Sequence, residues 1–129
     1  MWDIENIPDG DFVFMRAHKT DFKNGELNPG VFRDRKGGMS TDWEKYSTAE
    51  QSRNRAIVPD DNSIIKLSVA GIRNIEKLSV IHEPLPDNRA HAEVFGDKTT
   101  QARGSICHKR DTRAAFAKFK TTAQARCEI

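Results

Sequence analysis

Asp11-Phe12-Val13-Phe14-Met15-Arg16-Ala17-His18, opened by the turn pair Asp9-Gly10, reads as a β-strand. Side chains alternate faces along a strand, so Phe12, Phe14 and Arg16 share one face and Val13, Met15 and Ala17 the other. Apolar residues on both faces mark an interior strand, so a sheet organises the chain. Working outward, Ser63-Ile64-Ile65-Lys66-Leu67-Ser68-Val69 is rich in β-branched residues and reads as a second strand. Leu78-Ser79-Val80-Ile81-His82 is a third, and His91 to Phe95, bounded by Gly96, a fourth. Helix signals are fewer. Ser47-Thr48-Ala49-Glu50 has the capping-box pattern, with Ser47 at the cap and good helix formers on to Ala56, ended by Pro59-Asp60-Asp61-Asn62. Val69, Ile72, Arg73 and Glu76 suit one short helical turn, and Thr112 to Lys120 suits a helix with Phe116, Phe119 and Ala123 in register. The class expected is α+β, a small, mostly antiparallel sheet with two or three short helices in a single domain.

Between the first strand and the first helix, Lys19 to Met39 reads as a loop around Asn28-Pro29-Gly30, with only Val31 and Phe32 buried. A loop of that length in a compact domain tends to carry function. The 129 residues bear a net charge of +2, too little for a wholly basic nucleic-acid binder. The charge is unevenly placed. Residues 1–97 hold 13 Lys/Arg against 17 Asp/Glu, and residues 98–129 hold 8 against 2. The expected organisation is an α+β domain over residues 1–100 and a basic helical extension over 101–129, the latter either a solvated face or a contact for an anionic partner.

The two cysteines, Cys107 and Cys127, cannot frame a disulfide scaffold and form no C-x-x-C pair. Met1-Trp2-Asp3-Ile4-Glu5 is acidic and lacks an apolar run, and no stretch reaches the length of a membrane span. The expectation is a cytoplasmic protein that does not engage the membrane.

Candidate chemistry centres on Leu85-Pro86-Asp87-Asn88-Arg89-Ala90-His91-Ala92-Glu93, a rigid corner leading into a strand. His91 and Glu93, two apart, point the same way, so Glu93 can orient the imidazole as a general base or ligand, with His82 as the third group required. Otherwise His91 caps the turn or bonds backbone. No motif with fixed ligand spacing accompanies them, so no metal and no cofactor is assigned. Arg16 and His18 end the first strand on one face, where an Arg fork suits phosphate or carboxylate, or a structural ion pair. Gly37-Gly38-Met39-Ser40-Thr41-Asp42-Trp43 places paired glycines before two hydroxyls, an arrangement suited to an anion, yet it lacks the Gly-Lys-Ser/Thr of a Walker loop. Trp43 and Tyr46 either stack on a base or fill the core. Ser40 is outside any Gly-x-Ser-x-Gly elbow, and the adjacent pair Cys107-His108 has no indicated Asn or Asp partner for nucleophilic catalysis.

Several segments together resemble a family of short, uncharacterised bacterial proteins: Phe14-Met15-Arg16, Pro29-Gly30-Val31-Phe32-Arg33, Gly38 to Trp43, Lys45-Tyr46-Ser47-Thr48, and Pro86 to Ala92 with Phe95-Gly96. That resemblance spans roughly residues 8–98 and implies an accessory role in mobile or host-conflict neighbourhoods. More faintly, a strand ending in Arg16, then a loop and Ser40-Thr41, resembles the NAD-contacting elements of ADP-ribosyltransferases. That resemblance implies Glu93 as the acid supporting a ribosyl cation. The first functional expectation is a non-enzymatic accessory module presenting Arg16, His18, Ser40 to Trp43 and His91 to a protein partner. The second is NAD- or nucleotide-directed transfer using Arg16, Ser40 and Glu93 or His91, which requires these side chains to meet in one pocket. The third is nucleic-acid binding through Lys109, Arg110, Arg113, Lys118, Lys120 and Arg126.

Overall fold

The computed structural model describes residues 2–23, 26–34, 38–98, 106, 113–117 and 126–127, with backbone alone at 23, 26, 113–117 and 126–127. Its centre is a six-stranded antiparallel sheet of β1 (Phe12–His18), β4 (Met39–Trp43), β5 (Asn62–Ser68), β6 (Leu78–His82), β7 (His91–Gly96) and β8 (Arg113–Ala117). Their spatial order is β6-β7-β4-β1-β5-β8. β1 is interior, as its two apolar faces require, pairing with β5 from Phe12↔Ser68 to His18↔Asn62 and with β4 at Val13↔Trp43 and Phe14↔Asp42. A smaller sheet joins β2 (Phe22–Lys23), β3 (Glu26–Leu27) and β9 (Arg126–Cys127).

One face of the main sheet is the core. Val13, Met15 and Ala17 of β1, Trp43 of β4, Ile65 and Leu67 of β5, Val80 of β6 and Val94 of β7 all point there and are buried. Helix α2 (Val69–Arg73) seals it with Val69 and Ile72, and Ile7 and Ile106 close its margins. Each large side chain so removed from water contributes about 1.5–3 kcal/mol. The opposite face mixes buried apolar side chains, Phe14 and Ile64, with polar ones, and α1 (Ala49–Asn54) packs there on β1 and β5.

Four local expectations change. The cap of α1 is Thr48, not Ser47: its side chain accepts from the Gln51 amide at 3.0 Å while Gln51 Oε1 accepts from the Thr48 amide at 3.0 Å. Ser47 instead accepts from Arg55 Nη1 at 2.9 Å. Lys19 to Met39 is not a bare loop, because Leu27 and Met39 are buried beside Val31 and Phe32 and short strands and 3-10 turns run through it. Met39–Trp43 is a strand rather than a glycine-led anion loop. Finally, the helix expected over Thr112 to Lys120 is a strand at Arg113–Ala117, paired with β5 from Ile64↔Ala117 to Leu67↔Arg113. The open edge of an apolar strand offers a full row of backbone partners, and this outweighs the modest helix preference of Ala and Arg.

Candidate active site

Pairing register brings the polar side chains together. Phe14 lies opposite Asp42 across β1 and β4, Asp42 opposite His91 and Ser40 opposite Glu93 across β4 and β7. Strand alternation therefore puts Phe14, Arg16, Ser40, Asp42, His91 and Glu93 on the face away from the core. Between α1 and the Leu85–Asn88 corner this face sinks into a cavity of about 340 Å³ lined by Phe14, Arg16, Ser40, Thr41, Asp42, Arg55, Leu85, Asp87, Asn88 and His91. A groove of about 650 Å³ continues past Arg16, Ser40 and Arg55 toward His18, Arg33, Ile57 and Val58. These dimensions suit a small molecule.

Asp42 is the hub, its side chain only 4% exposed. Its Oδ2 accepts from Ser52 Oγ at 2.5 Å and pairs with Arg55 Nη1 at 3.1 Å and Arg16 Nη1 at 3.5 Å. Its Oδ1 accepts from Asn88 Nδ2 at 2.8 Å. A buried carboxylate persists only when paired and fully hydrogen-bonded, and here both oxygens are engaged. The arrangement also fixes the cations. Arg16 Nη1 donates to the Ser52 carbonyl at 3.0 Å, and among the described residues both guanidinium groups engage through Nη1 alone. Each side chain remains about a third exposed, 34% for Arg16 and 31% for Arg55. The two guanidinium groups share the Asp42 carboxylate, and Asp87 at the cavity rim supplies the second acidic group of the lining.

His91 is held from two sides. Its Nδ1 lies 2.7 Å from the Glu83 carbonyl and its Nε2 lies 3.2 Å from Ser40 Oγ. A carbonyl only accepts, so bonding logic assigns the proton of the neutral ring to Nδ1. Nε2 then presents its lone pair to the Ser40 hydroxyl. The corner is rigid enough to aim it: Leu85 and Asn88 exchange backbone bonds at 3.0 Å, and Asn88 Oδ1 accepts from the Ala90 amide at 3.1 Å.

Of the residues singled out from sequence, Arg16, Ser40 and His91 converge in this cavity. Glu93 shares their face but does not orient His91, since the Glu83 carbonyl does. Its carboxyl lies over Gly38, where an added Cβ would sit 1.2 Å from Oε1. Burial first, and the neighbouring Glu83 second, hold the Glu93 carboxyl above the ordinary glutamate range, against a smaller opposite pull from His91. His82 is not the third member of a His91 set. It faces the core side, 2% exposed, its Nδ1 accepting from the Glu5 amide at 3.0 Å and its Nε2 lying 2.7 Å from the Arg89 carbonyl. Thr41 likewise turns inward and donates to the Ala92 carbonyl at 3.0 Å, so the Ser-Thr pair is split between faces. Trp43 fills the core, edge-on to Tyr46 and His82, with Nε1 donating to Asp11 Oδ2 at 2.9 Å. Tyr46 donates to Glu5 and lies beneath the Arg89 guanidinium at 4.1 Å.

His18 caps the turn after β1 by accepting from the Thr20 amide at 3.2 Å, while lining the larger groove. Asp42 and Asn88 fall inside the Gly37–Trp43 and Leu85–Glu93 segments read from sequence, without a role of their own there, and Arg55 has no sequence signal. The signal for Asp42 was available in the alternation of Ser40 and Asp42 with Met39, Thr41 and Trp43. Gly37, Cys107, His108, Lys109, Arg110, Lys118 and Lys120 lie outside the described residues, and Arg113 and Arg126 are strand positions of β8 and β9. Among the described residues, no three His, Cys, Asp or Glu side chains are grouped to hold a metal ion, and no helix is long and apolar enough to cross a membrane. Compared with known proteins, the chain matches no family model, no curated protein and no solved structure.

Proposed function

We propose that this protein binds a small anionic molecule, one carrying a phosphate or carboxylate group, in the cleft between α1 and the Leu85–Asn88 corner. The observation that supports this is the Arg16–Asp42–Arg55 cluster, in which one buried carboxylate holds two partly exposed guanidinium groups at a cavity. Planar guanidinium forks match the oxygens of such anions, and a pair held in place beforehand loses little freedom on binding. The test is a thermal-shift and calorimetric titration with inorganic phosphate, pyrophosphate, succinate and NAD. A ligand at a hundred times its dissociation constant stabilises the folded state by about 2.7 kcal/mol, a readily measured shift. Binding by one of these anions, weakened at least tenfold in Arg16→Gln and in Arg55→Gln, is the expected result. A flat response to all four, or one indifferent to both substitutions, refutes the proposal.

A second reading keeps the protein-partner role. Ile57 is fully exposed, Val58 is 49% and Leu85 39% exposed, and all three border the cleft or its groove. An acidic side chain of a partner, flanked by apolar residues, would fit the same cations. Pull-down by the wild type that is lost in Ile57→Asp, with no small anion bound, would favour it.

A further inference from the structure

We infer that Ser40 is a covalent nucleophile activated by His91, and that its substrate class is a small ester whose acyl part carries a carboxylate. For that substrate class the inference rests on the anion-binding reading; the nucleophile rests on independent geometry. Three observations meet. Ser40 is an exposed hydroxyl on the cavity floor, carried by a strand in the middle of the sheet rather than by a mobile loop. His91 Nε2 lies 3.2 Å from its Oγ. The other ring nitrogen lies 2.7 Å from the Glu83 carbonyl, which sets the tautomer and leaves Nε2 free to take a proton. Nucleophile, base and orienting acceptor are the three roles of an acyl-transfer site, recognised by geometry and not by order in the chain. Here the orienting group is a backbone carbonyl and the scaffold is a strand face, which is why no elbow motif announces it.

The reaction balances with water as the only co-reactant. Ser40 Oγ attacks the ester carbonyl carbon as its proton passes to His91 Nε2, giving a tetrahedral alkoxide. As the carbonyl re-forms, the bond to the alcohol oxygen breaks and His91 returns the proton to that oxygen, leaving an acyl-Ser40 ester. Water then gives its proton to His91 and attacks the acyl carbon, and Ser40 Oγ departs with the proton, releasing the acid. The guanidinium groups of Arg16 and Arg55 line the same cavity and favour the negative charge of both the substrate carboxylate and the alkoxide.

The experiment treats the full chain with an uncharged fluorophosphonate probe and maps the adduct by mass spectrometry. In parallel, p-nitrophenolate release is followed from p-nitrophenyl hemisuccinate and p-nitrophenyl acetate. One adduct per chain on Ser40, absent from Ser40→Ala and slowed at least about 100-fold in His91→Gln, is expected. Adduct mapping on the wild type needs no variant to fold, and thermal melts of both variants separate lost chemistry from lost structure. No adduct, or one elsewhere that persists in Ser40→Ala, overturns the nucleophile even if phosphate still shifts the melting temperature. An adduct on Ser40 without preference for the hemisuccinate over the acetate overturns the substrate class, whereas the anionic reading of the cleft falls only with a flat phosphate and succinate titration.

Discussion

Replacing Asp42 with Asn tests the hub directly, because it preserves shape and removes only charge and one acceptor. Four donors converge on the two carboxylate oxygens, three of them on Oδ2. An amide has one carbonyl oxygen. If that oxygen takes the Oδ2 place, the amide nitrogen meets Asn88 Nδ2, donor against donor; if it takes the Oδ1 place, the nitrogen meets Ser52, Arg16 and Arg55. Either choice strands at least one buried donor, at a cost of about 1–3 kcal/mol. Losing the counter-charge to the two guanidinium groups adds up to about 1 kcal/mol, since both are a third exposed and partly screened by solvent. The total is about 3 kcal/mol, or about 10 °C in melting temperature for a chain of this length. Urea unfolding followed by circular dichroism measures it as a lowered midpoint at unchanged slope. A loss below about 1 kcal/mol would show that Asp42 does not hold the cluster.

Two glycines should behave oppositely when replaced by Ala. At Gly96, φ is +119° and a Cβ would meet the Lys77 carbonyl oxygen at 1.8 Å, so Gly96→Ala should cost more than about 2 kcal/mol. At Gly38 the obstacle is the end of the Glu93 side chain, which can swing away, so Gly38→Ala should cost less than about 1 kcal/mol by the same urea assay. The raised Glu93 carboxyl means that the folded state binds more protons than the unfolded one above the ordinary glutamate value of 4.5. Stability should therefore fall as pH rises from there through the folded-state value, and Glu93→Gln should flatten that part of the stability profile. Arg73 donates to the carbonyls of Ile7 at 2.7 Å and Val80 at 2.9 Å and pairs with Asp9 at 2.6 Å. Arg73→Met should cost about 2 kcal/mol and speed proteolytic cleavage near Gly10, read by gel and mass spectrometry.

The strands with apolar residues on both faces were legible. β1 and β5 announce themselves because each carries consecutive apolar residues, Phe12 to Met15 and Ile64-Ile65, that put apolar side chains on both faces. β4 was obscured by its own composition: Ser40 and Asp42, facing the cleft, combine with the preceding glycines to give the chemistry of a turn. Its inward residues Met39 and Trp43 carry the strand signal, yet only two of five positions are large and apolar. With β4 unread, the register joining Asp42 to Phe14 and His91 was beyond reach, and so was the cluster. Arg55 and Asn88 come to it from a helix end and a corner, whose positions local sequence does not encode. β8 was misread because an edge fifty residues upstream decided it. Arg16, Ser40 and His91 stood out individually as residues of the right chemistry, but their meeting depends on strand order.

That order also governs how the protein emerges during synthesis. β1 is made first and sits in the middle of the finished sheet, yet its full-length partner β5 ends at Ser68. At ribosomal speeds of roughly 5–20 residues per second, the apolar ribbon Phe12–Ala17 waits about 3–10 s with that edge bare. His91 arrives later still, and only by docking β7 on the far side of β4. The nascent chain therefore passes through an interval in which it is most adhesive and cannot yet have any of the chemistry proposed for it. Chaperone capture of the amino-terminal ribbon during this interval would delay the cleft without altering a single residue of it.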